Sequence, residues 1–331
     1  SGSGADLDLM TFRVPDQLSG RMMGIRADIT PQTARMDAHS LRREGPSRLC
    51  YAGTVLHTRP RGPLESRTPI SIGLELFGEA SISADIEVIE IFLQTLKTSG
   101  VSEVHLDLGH VDILRGLLGQ AELDDALEAQ LCELLQRKAR DELKDWIMVN
   151  IEDDKLGQWL NVLPTLTGSV EVLSAARKAL VGAPIAVHEA IDQLEVVVDS
   201  IIEKGVTVYI DLGEMPGYHY HTGIVFAGYV EGYGKALGNG GRYDHVGEAF
   251  GRARPATGFA FDLKSLMIQG QSEASLGNGI FAPFTADTKI HDQVSILRSQ
   301  GNRVGQGVEG QVNCACLEAE GRKTPKKGRT K

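Results

Sequence analysis

Two stretches near the beginning of the chain alternate apolar and polar residues with the period of a β-strand. They cover residues 48–57 and 69–77, and glycine, proline and arginine residues lie between them. Because the side chains of a strand point to alternate faces, this pattern predicts two antiparallel strands joined by a long loop. The same criterion predicts strands at residues 104–108, 206–212 and 223–230.

Helical periodicity predicts a second set of elements. Apolar residues recur at helical spacing from Ser83 to Thr98, which predicts an amphipathic helix capped by Ser83 and packed on the sheet. Stretches rich in leucine and in charged residues between residues 111 and 203 predict a helical insertion. A glycine-rich turn is predicted at residues 238–244, and a further helix is predicted to begin near Gly258.

The grouping of these elements predicts the fold class and the domain organisation. Strands joined by hairpins, with the helices collected in one insertion, favour an α+β fold with an antiparallel sheet over a doubly wound one. Residues 1–110 and 204–272 are predicted to form the two parts of one core, and residues 111–203 the insertion. Residues 278–316 predict a small strand-helix-strand segment, and residues 317–331 a basic, disordered tail.

Charge and cysteine content exclude several classes of protein. The chain holds 34 Lys and Arg against 44 Asp and Glu, a net charge of −10. The last eleven residues contain six cations and no anion, so the first 320 residues carry −16. Such a body repels polyphosphate, which argues against tRNA as a partner. Four scattered cysteines and the lack of a membrane-spanning or signal pattern favour a reduced protein of the cytoplasm.

Two short features suggest a site for an amino acid. Residues 26–31 join the cation Arg26, the anion Asp28 and the hydroxyl of Thr30, which suits the charged ends of such a ligand. The alternative is a helix N-cap at Thr30, followed by proline in the first turn. Glu75 is flanked by apolar residues on a predicted strand, so it would need a cationic ligand nitrogen or a structural salt bridge as its partner.

A run of two tyrosines and two histidines occupies residues 218–221. On a strand, His219 and His221 would share one face and the tyrosines the other. No third metal-ligating residue lies near these histidines in the sequence, so no metal site is predicted. The glycine-rich run at residues 238–241 lacks the Lys-Ser/Thr ending of a phosphate loop, so no phosphate site is predicted there. The residues alone therefore predict an α+β domain with a candidate amino-acid pocket and no cofactor.

Several of these segments resemble a known family when taken together and in order. Five of them are similar to the core of class II histidyl-tRNA synthetase: residues 51–57, 71–78, 220–226, 240–244 and 257–262. Three more resemble its catalytically inactive paralogue, the regulatory subunit of ATP phosphoribosyltransferase, which is the first enzyme of histidine biosynthesis: residues 24–32, 218–223 and 247–258. The resemblance implies a class II synthetase-like sheet flanked by helices.

Departures from the synthetase distinguish the two relatives. The position of the arginine that holds the α-phosphate of ATP is His57, and the arginine that clamps the γ-phosphate would fall at Ser265. The arginine that serves the aminoacyl carboxylate is absent from the segment aligned with residues 216–221. Because acyl and phosphoryl transfer depend on such preorganised cations, their loss predicts that the chain is not an enzyme and has no adenylation activity.

The resemblance also implies site residues. It places Asp28 and Thr30 at the α-ammonium of histidine, Glu75 at the imidazole, and Tyr220 and His221 around the ring, while Ser71 replaces a glutamine of the synthetase. Residual contacts with an anion are predicted for Arg26, Arg59 and Arg242.

Partners follow from the same resemblance. It implies a short-form catalytic subunit, self-association within a hetero-octamer-type assembly, and L-histidine as a feedback effector. The first class II motif would precede Ser1. Two alternatives remain open from the sequence: a divergent histidyl-tRNA synthetase that uses Arg59 and Arg242 as substitute cations, and a free-standing histidine-binding module.

Overall fold

The computed structural model describes residues 7–307, except positions 61, 63, 64, 102, 120, 122, 203, 204, 214–216, 219, 271–279, 284–286 and 303. The chain divides into two compact units, Ser1–Gln271 and Ser272–Lys331. The predicted tail at residues 317–331 lies outside the described residues. Among the helices that are described, none is long and apolar enough to cross a membrane.

The larger unit is built on an eight-stranded sheet that follows a two-stranded hairpin. The hairpin strands are β1 (Phe12–Pro15) and β2 (Met22–Ile25). The sheet contains β3 (Ser47–Thr54), β4 (Ile70–Phe77), β5 (His105–His110), β6 (Thr167–Gly168), β7 (Thr207–Asp211), β8 (Ile224–Tyr229), β9 (Gly238–Arg242) and β10 (Ala256–Asp262). Their order is β3-β4-β10-β9-β8-β5-β7-β6, and β5 pairs with β7 in parallel while the other neighbours are antiparallel. The predicted α+β fold with an antiparallel sheet is confirmed.

Helices cover the sheet and fill the segment between β5 and β7. Before that segment lie α1 (Thr30–Arg35), which continues as a π-helical turn (Met36–Leu41), and α2 (Ile82–Thr98). The segment predicted as a helical insertion contains α3 (Val111–Leu118), α4 (Asp125–Gln136), α5 (Arg140–Asn150), α6 (Asp154–Val162), α7 (Val172–Ala179) and α8 (Ile185–Ile201). It also contains β6, which joins the edge of the sheet beside β7 and which the sequence pattern did not predict.

The main core lies between α2 and the sheet. Val88, Phe92 and Leu96 on the inner face of α2 are fully buried. The Phe92 ring stacks on Phe261 of β10, with 4.6 Å between the ring centroids. The amphipathic helix predicted at this position is therefore present, but its N-cap is Ser81 and not Ser83.

The glycine-rich segment at residues 238–244 is not the predicted turn. Its first five residues form β9, a central strand between β8 and β10. A Cβ atom on Gly240 would lie 2.3 Å from the Gly258 carbonyl oxygen and 2.5 Å from the Phe226 ring. Glycine is required at this position because neighbouring groups occupy the space that a side chain would need. The prediction of a turn failed because glycine is generally rare in strands.

The prediction that a helix begins near Gly258 is also wrong. Residues Ala256–Asp262 form β10, and α9 (Leu263–Gln269) begins only afterwards. The side chain of Asp262 accepts a hydrogen bond from the Lys264 amide and so caps this helix. Strand β10 thereby becomes the central element on which β4 and β9 pair.

The smaller unit contains a strand, a helix and a strand within its described residues. These are β11 (Ile280–Ala282), α10 (Thr288–Ser299) and β12 (Val304–Gln306). The two strands pair in parallel, with Ile280 opposite Val304. A helix between two parallel strands is the expected connection, because parallel strands cannot be joined by a tight turn.

Candidate functional site

A cavity of about 660 Å³ lies over the middle of the large sheet. Strands β4, β9 and β10 contribute residues to its wall, together with the start of α1 and the connections that follow β3 and precede β8. The six residues that the sequence predicts for histidine binding all line this one cavity: Asp28, Thr30, Ser71, Glu75, Tyr220 and His221.

Glu75 is the buried carboxylate of the site, with an exposed fraction of 1%. The Thr30 hydroxyl donates a hydrogen bond to its Oε1 atom at 2.7 Å, and the Tyr243 hydroxyl donates to Oε2. Burial raises the pKa of this carboxyl well above its usual range. The sequence left a cationic ligand nitrogen or a structural salt bridge open as the partner of Glu75; in the structure the hydroxyl groups of Thr30 and Tyr243 bind it, and not a salt bridge.

Gly258 makes room for this arrangement. It lies directly opposite Glu75 in the register of β10 with β4. A Cβ atom on Gly258 would lie 2.1 Å from Glu75 Oε2 and 2.3 Å from the Tyr243 hydroxyl oxygen. A side chain at this position would displace the hydrogen-bonded pair, so the glycine belongs to the site.

Thr30 serves the site and does not cap the helix. Helix α1 begins at Thr30, and its N-cap is Ile29, whose side chain makes no capping hydrogen bond. The Thr30 hydroxyl is directed to Glu75, whereas Asp28 Oδ1 accepts hydrogen bonds from the amides of Ile29 and Thr30 at 2.6 and 3.3 Å. The alternative of an N-cap at Thr30 is therefore wrong, and the carboxylate of Asp28 lines the cavity beside this helix end.

Tyr220 and His221 reach the cavity from a turn. Their amides both donate to the Gly217 carbonyl oxygen, at 2.7 and 2.9 Å. The prediction that side chains 218–221 alternate between the two faces of a strand is therefore wrong for Tyr220 and His221, because β8 begins only at Ile224. His219 lies outside the described residues. Since a turn does not alternate its side chains, both Tyr220 and His221 line the cavity, with 5.2 Å between their ring centroids.

Tyr243 is a site residue that the sequence analysis missed. It follows β9, donates to Glu75, and stacks on Tyr220 with 5.0 Å between ring centroids. Burial raises the pKa of the Tyr220 phenol. The signal in the sequence is the Arg-Tyr-Asp run at residues 242–244, which lies within a segment similar to the synthetase core.

The three arginines predicted to contact an anion lie elsewhere. Arg242 is buried in an ion pair with Asp85, with 2.7 Å between Nη2 and Oδ2, and thus joins β9 to α2. The Arg26 guanidinium donates to the Thr54 carbonyl oxygen, and Arg59 is exposed. Among the described residues that line the cavity, none is an arginine.

Other cationic groups at the cavity already have partners. Lys235 pairs with Glu65 at 2.9 Å, and Lys264 donates to the Thr68 carbonyl oxygen. His57 Nε2 donates to the Ala27 carbonyl oxygen at 3.0 Å. In the described part of the chain, no three His, Cys, Asp or Glu residues are placed to hold a metal ion. The site offers acceptor oxygens and aromatic surface for a small ligand that carries N–H groups.

Comparison with known proteins gives consistent results. The family described as Histidyl-tRNA synthetase matches residues 1–266. The ATP phosphoribosyltransferase regulatory subunit of Pseudomonas syringae pv. tomato is 52% identical over 323 residues, which cover 97% of this chain and 81% of that protein. The protein of the same name from Stutzerimonas stutzeri is 52% identical over 314 residues, which cover 94% of this chain and 79% of the relative.

Solved structures show the same fold. An ATP phosphoribosyltransferase regulatory subunit/histidyl-tRNA synthetase from Bacillus halodurans aligns with a TM-score of 0.80 at 25% identity, covering 95% of this chain and 82% of that one. The histidyl-tRNA synthetase from Nostoc sp. PCC 7120 aligns with a TM-score of 0.72 at 16% identity, covering 93% and 75%. Together with the cavity residues, these similarities show that the chain belongs to the family of ATP phosphoribosyltransferase regulatory subunits, which is built on the histidyl-tRNA synthetase fold.

Proposed function

We propose that this protein is a non-catalytic regulatory subunit that binds L-histidine in the cavity and controls a separate catalytic subunit of ATP phosphoribosyltransferase in the cytoplasm. The observation that carries the proposal is the buried Glu75 carboxylate, held by Thr30 and Tyr243 at the wall of the cavity. A buried carboxylate with acceptor capacity suits a ligand that brings its own N–H group.

Histidine matches the donors and acceptors of the site. Two hydroxyl donors occupy two of the roughly four lone-pair directions of the Glu75 carboxylate, which leaves capacity for an imidazole N–H. The stacked rings of Tyr220 and Tyr243 provide the aromatic surface for the imidazole. Asp28, which also lines the cavity, supplies a carboxylate for the α-ammonium group.

The composition of the wall supports a role without chemistry. Phosphoryl and adenylyl transfer need cations directed at the developing charge. No arginine is among the described residues of the wall, and both of its lysines have partners in the protein. The acidic side chains Asp28 and Asp262, which also line the cavity, disfavour a polyphosphate there.

A catalytic partner is proposed from the relatives. Those from Pseudomonas syringae pv. tomato and Stutzerimonas stutzeri are named as regulatory subunits, and a Thermotoga maritima structure is an ATP phosphoribosyl transferase (HisG:HisZ) complex. That structure shares the fold of this chain, with a TM-score of 0.59 at 21% identity, 76% coverage of this chain and 85% of that one. We propose a hetero-octamer-type assembly in which histidine at this cavity alters the activity of the catalytic subunit, as thermodynamic linkage between two sites allows.

The test is reconstitution with a short-form catalytic subunit. Phosphoribosyl transfer is assayed for the catalytic subunit alone, with this protein, and with this protein and histidine, and complex formation is followed by analytical ultracentrifugation. Activity that depends on both chains and falls with histidine supports the proposal, whereas the lack of a complex and of a rate change overturns it. Histidine-dependent exchange of pyrophosphate into ATP by the purified chain would overturn the non-catalytic role.

A further inference from the structure

The segment at residues 247–258 is one of those that resemble the family. It contains two arginines, Arg252 and Arg254, which lie between β9 and β10 and to which the proposed function assigns no role. Neither lines the cavity in the described part of the chain. Their guanidinium groups instead turn toward the helix that carries Thr30.

Both arginines converge on one buried carboxylate, Asp37. Arg254 Nη1 lies 2.9 and 3.0 Å from the two Asp37 carboxylate oxygens, and the exposed fractions of the two side chains are 11% and 3%. Arg252 Nη1 lies 4.0 Å from Asp37 Oδ2 and donates to the Asp37 carbonyl oxygen. An Arg-carboxylate contact of this kind is strong and directional, because the planar guanidinium has fixed donor directions.

Asp37 belongs to the same helix as Thr30. Helix α1 begins at Thr30 and passes at Met36 into a π-helical turn that ends at Leu41. Short π-helical turns are rare and are frequent at functional sites. One end of this helix therefore contacts Glu75 through the Thr30 hydroxyl, and the next turns are held by the arginines of the 247–258 segment.

The Arg254 side chain also contacts the connection that precedes β3 and the residue that follows β4. Its Nη2 atom donates to the Gly45 carbonyl oxygen, and it occupies the space beside Gly78, which directly follows β4. Gly78 has a φ of +88°, and its amide donates to the Pro255 carbonyl oxygen at 2.7 Å. The arginine thus joins the helix of Thr30 to the end of β4.

Apolar packing around this helix is limited. In the described part of the chain, four buried residues form a small cluster apart from the main core: Ala34, Phe77, Tyr243 and Ala256. Ala34 is the contribution of α1 to that cluster. Ala38 in the π-helical turn is also buried. Because two alanines bury little apolar area, the polar contacts of Asp37 contribute substantially to the attachment of the helix.

We propose that Arg254 and Asp37 are positioning residues for the ligand of this cavity. Their contact holds the helix so that the Thr30 hydroxyl stays on Glu75 and Asp28 stays at the cavity wall. The inference rests on the proposed function, since it assigns to the 247–258 segment the task of maintaining the histidine-binding geometry.

The first test compares histidine affinity in arginine variants of the full chain by calorimetry. Arg254→Gln is expected to raise the Kd about tenfold, the effect of losing one ordinary hydrogen bond. Arg254→Lys keeps the positive charge but lacks the planar guanidinium, so we expect a smaller rise in the histidine Kd. This variant also keeps the test decisive if Arg254→Gln fails to fold. Arg48→Gln is the matched control, because Arg48 pairs with Glu87 away from the cavity. Unchanged affinity in both Arg254 variants would overturn the proposal.

A double-mutant cycle separates positioning from general destabilisation. If Arg254 acts through Thr30, then Arg254→Gln has little further effect on the Kd in a Thr30→Val background, because coupled residues are non-additive. If the fold-changes in Kd of the two single variants instead multiply in the double variant, the arginine does not act through Thr30 and the mechanism is overturned.

A ligand-free measurement distinguishes this inference from the proposed function. Hydrogen exchange of the amides at residues 30–41 is expected to be about tenfold faster in Arg254→Gln than in wild type, with no change in Arg48→Gln. Wild-type protein that fails to bind histidine overturns the proposed function, while faster exchange still supports the attachment. Unchanged exchange at these amides overturns the attachment even if histidine binds.

Discussion

Replacing Glu75 by glutamine is the most direct perturbation of the site. The amide has nearly the shape of the carboxylate, its oxygen still accepts from the Thr30 hydroxyl, and its nitrogen faces the Tyr243 hydroxyl oxygen, which accepts as well as donates. The fold is therefore expected to tolerate Glu75→Gln. What disappears is the ionisable carboxyl group that a bound imidazole N–H would meet.

The magnitude follows from the burial of this group. With an exposed fraction of 1%, Glu75 is screened little by water, so a hydrogen bond to its charged form belongs to the stronger class. Loss of such a bond costs about 1.5 to 3 kcal/mol, which corresponds to a rise in the histidine Kd of roughly ten- to 150-fold. Calorimetric titration measures this change, with Glu87→Gln as a control on the outer face of α2.

Stability against pH provides a second readout of the same variant. Burial raises the pKa of Glu75 in the folded protein, so this carboxyl stabilises the fold fully below its unfolded value of about 4.3 and loses that contribution as pH rises through the folded pKa. Glutamine does not titrate. The free energy of urea unfolding of Glu75→Gln relative to wild type should therefore rise with pH across that window. Unchanged histidine affinity together with a pH-independent difference in stability would refute the reasoning.

Three further predictions concern the neighbours of Glu75 and the buried ion pair. Gly258→Ala should abolish histidine binding in calorimetry, because its Cβ would lie 2.1 Å from Glu75 Oε2; retained affinity would show that the carboxylate can move. Tyr243→Phe should lower the free energy of urea unfolding by about 1 to 3 kcal/mol through the lost hydrogen bond to a buried acceptor, and an unchanged value would contradict the contact. Arg242→Met should destabilise the fold by about 3 to 5 kcal/mol because Asp85 stays buried without its cation, and adding Asp85→Leu should recover much of the loss; failure of that recovery would argue against the ion pair as the cause.

Strands β3 and β4 and helix α2 could be predicted from the sequence because their apolar residues recur with the period of a strand or of a helix. The strands at residues 48–54 and 70–77 alternate apolar and polar residues, and in the structure they pair in antiparallel register as β3 and β4. The helix at residues 82–98 shows the 3.6-residue period because one face packs on the sheet. The segments that resemble the family include the candidate ligand-binding residues Glu75, Thr30 and Tyr220, and the fold brings these three to one cavity.

Tyr243 and Arg242 could not be assigned in this way. They are adjacent in the sequence, and both carry polar groups that a sequence pattern treats alike. In the structure the tyrosine hydroxyl meets Glu75 from the end of β9, whereas the guanidinium meets Asp85 of α2. Which partner each finds depends on elements far away along the chain, so only the tertiary structure separates a site residue from a structural one.

By itself the sequence determined the fold class, the family and six candidate residues that the structure brings to one cavity. The tertiary structure decided that the glycines at 238–241 form a central strand, that residues near Tyr220 form a turn, and that Gly258 makes room for the Glu75 carboxylate. The physical reason is the same for both glycine positions. A glycine contributes no side chain to a periodic pattern, so its role is set by the carbonyl, ring or carboxylate that another strand places in the space it leaves open.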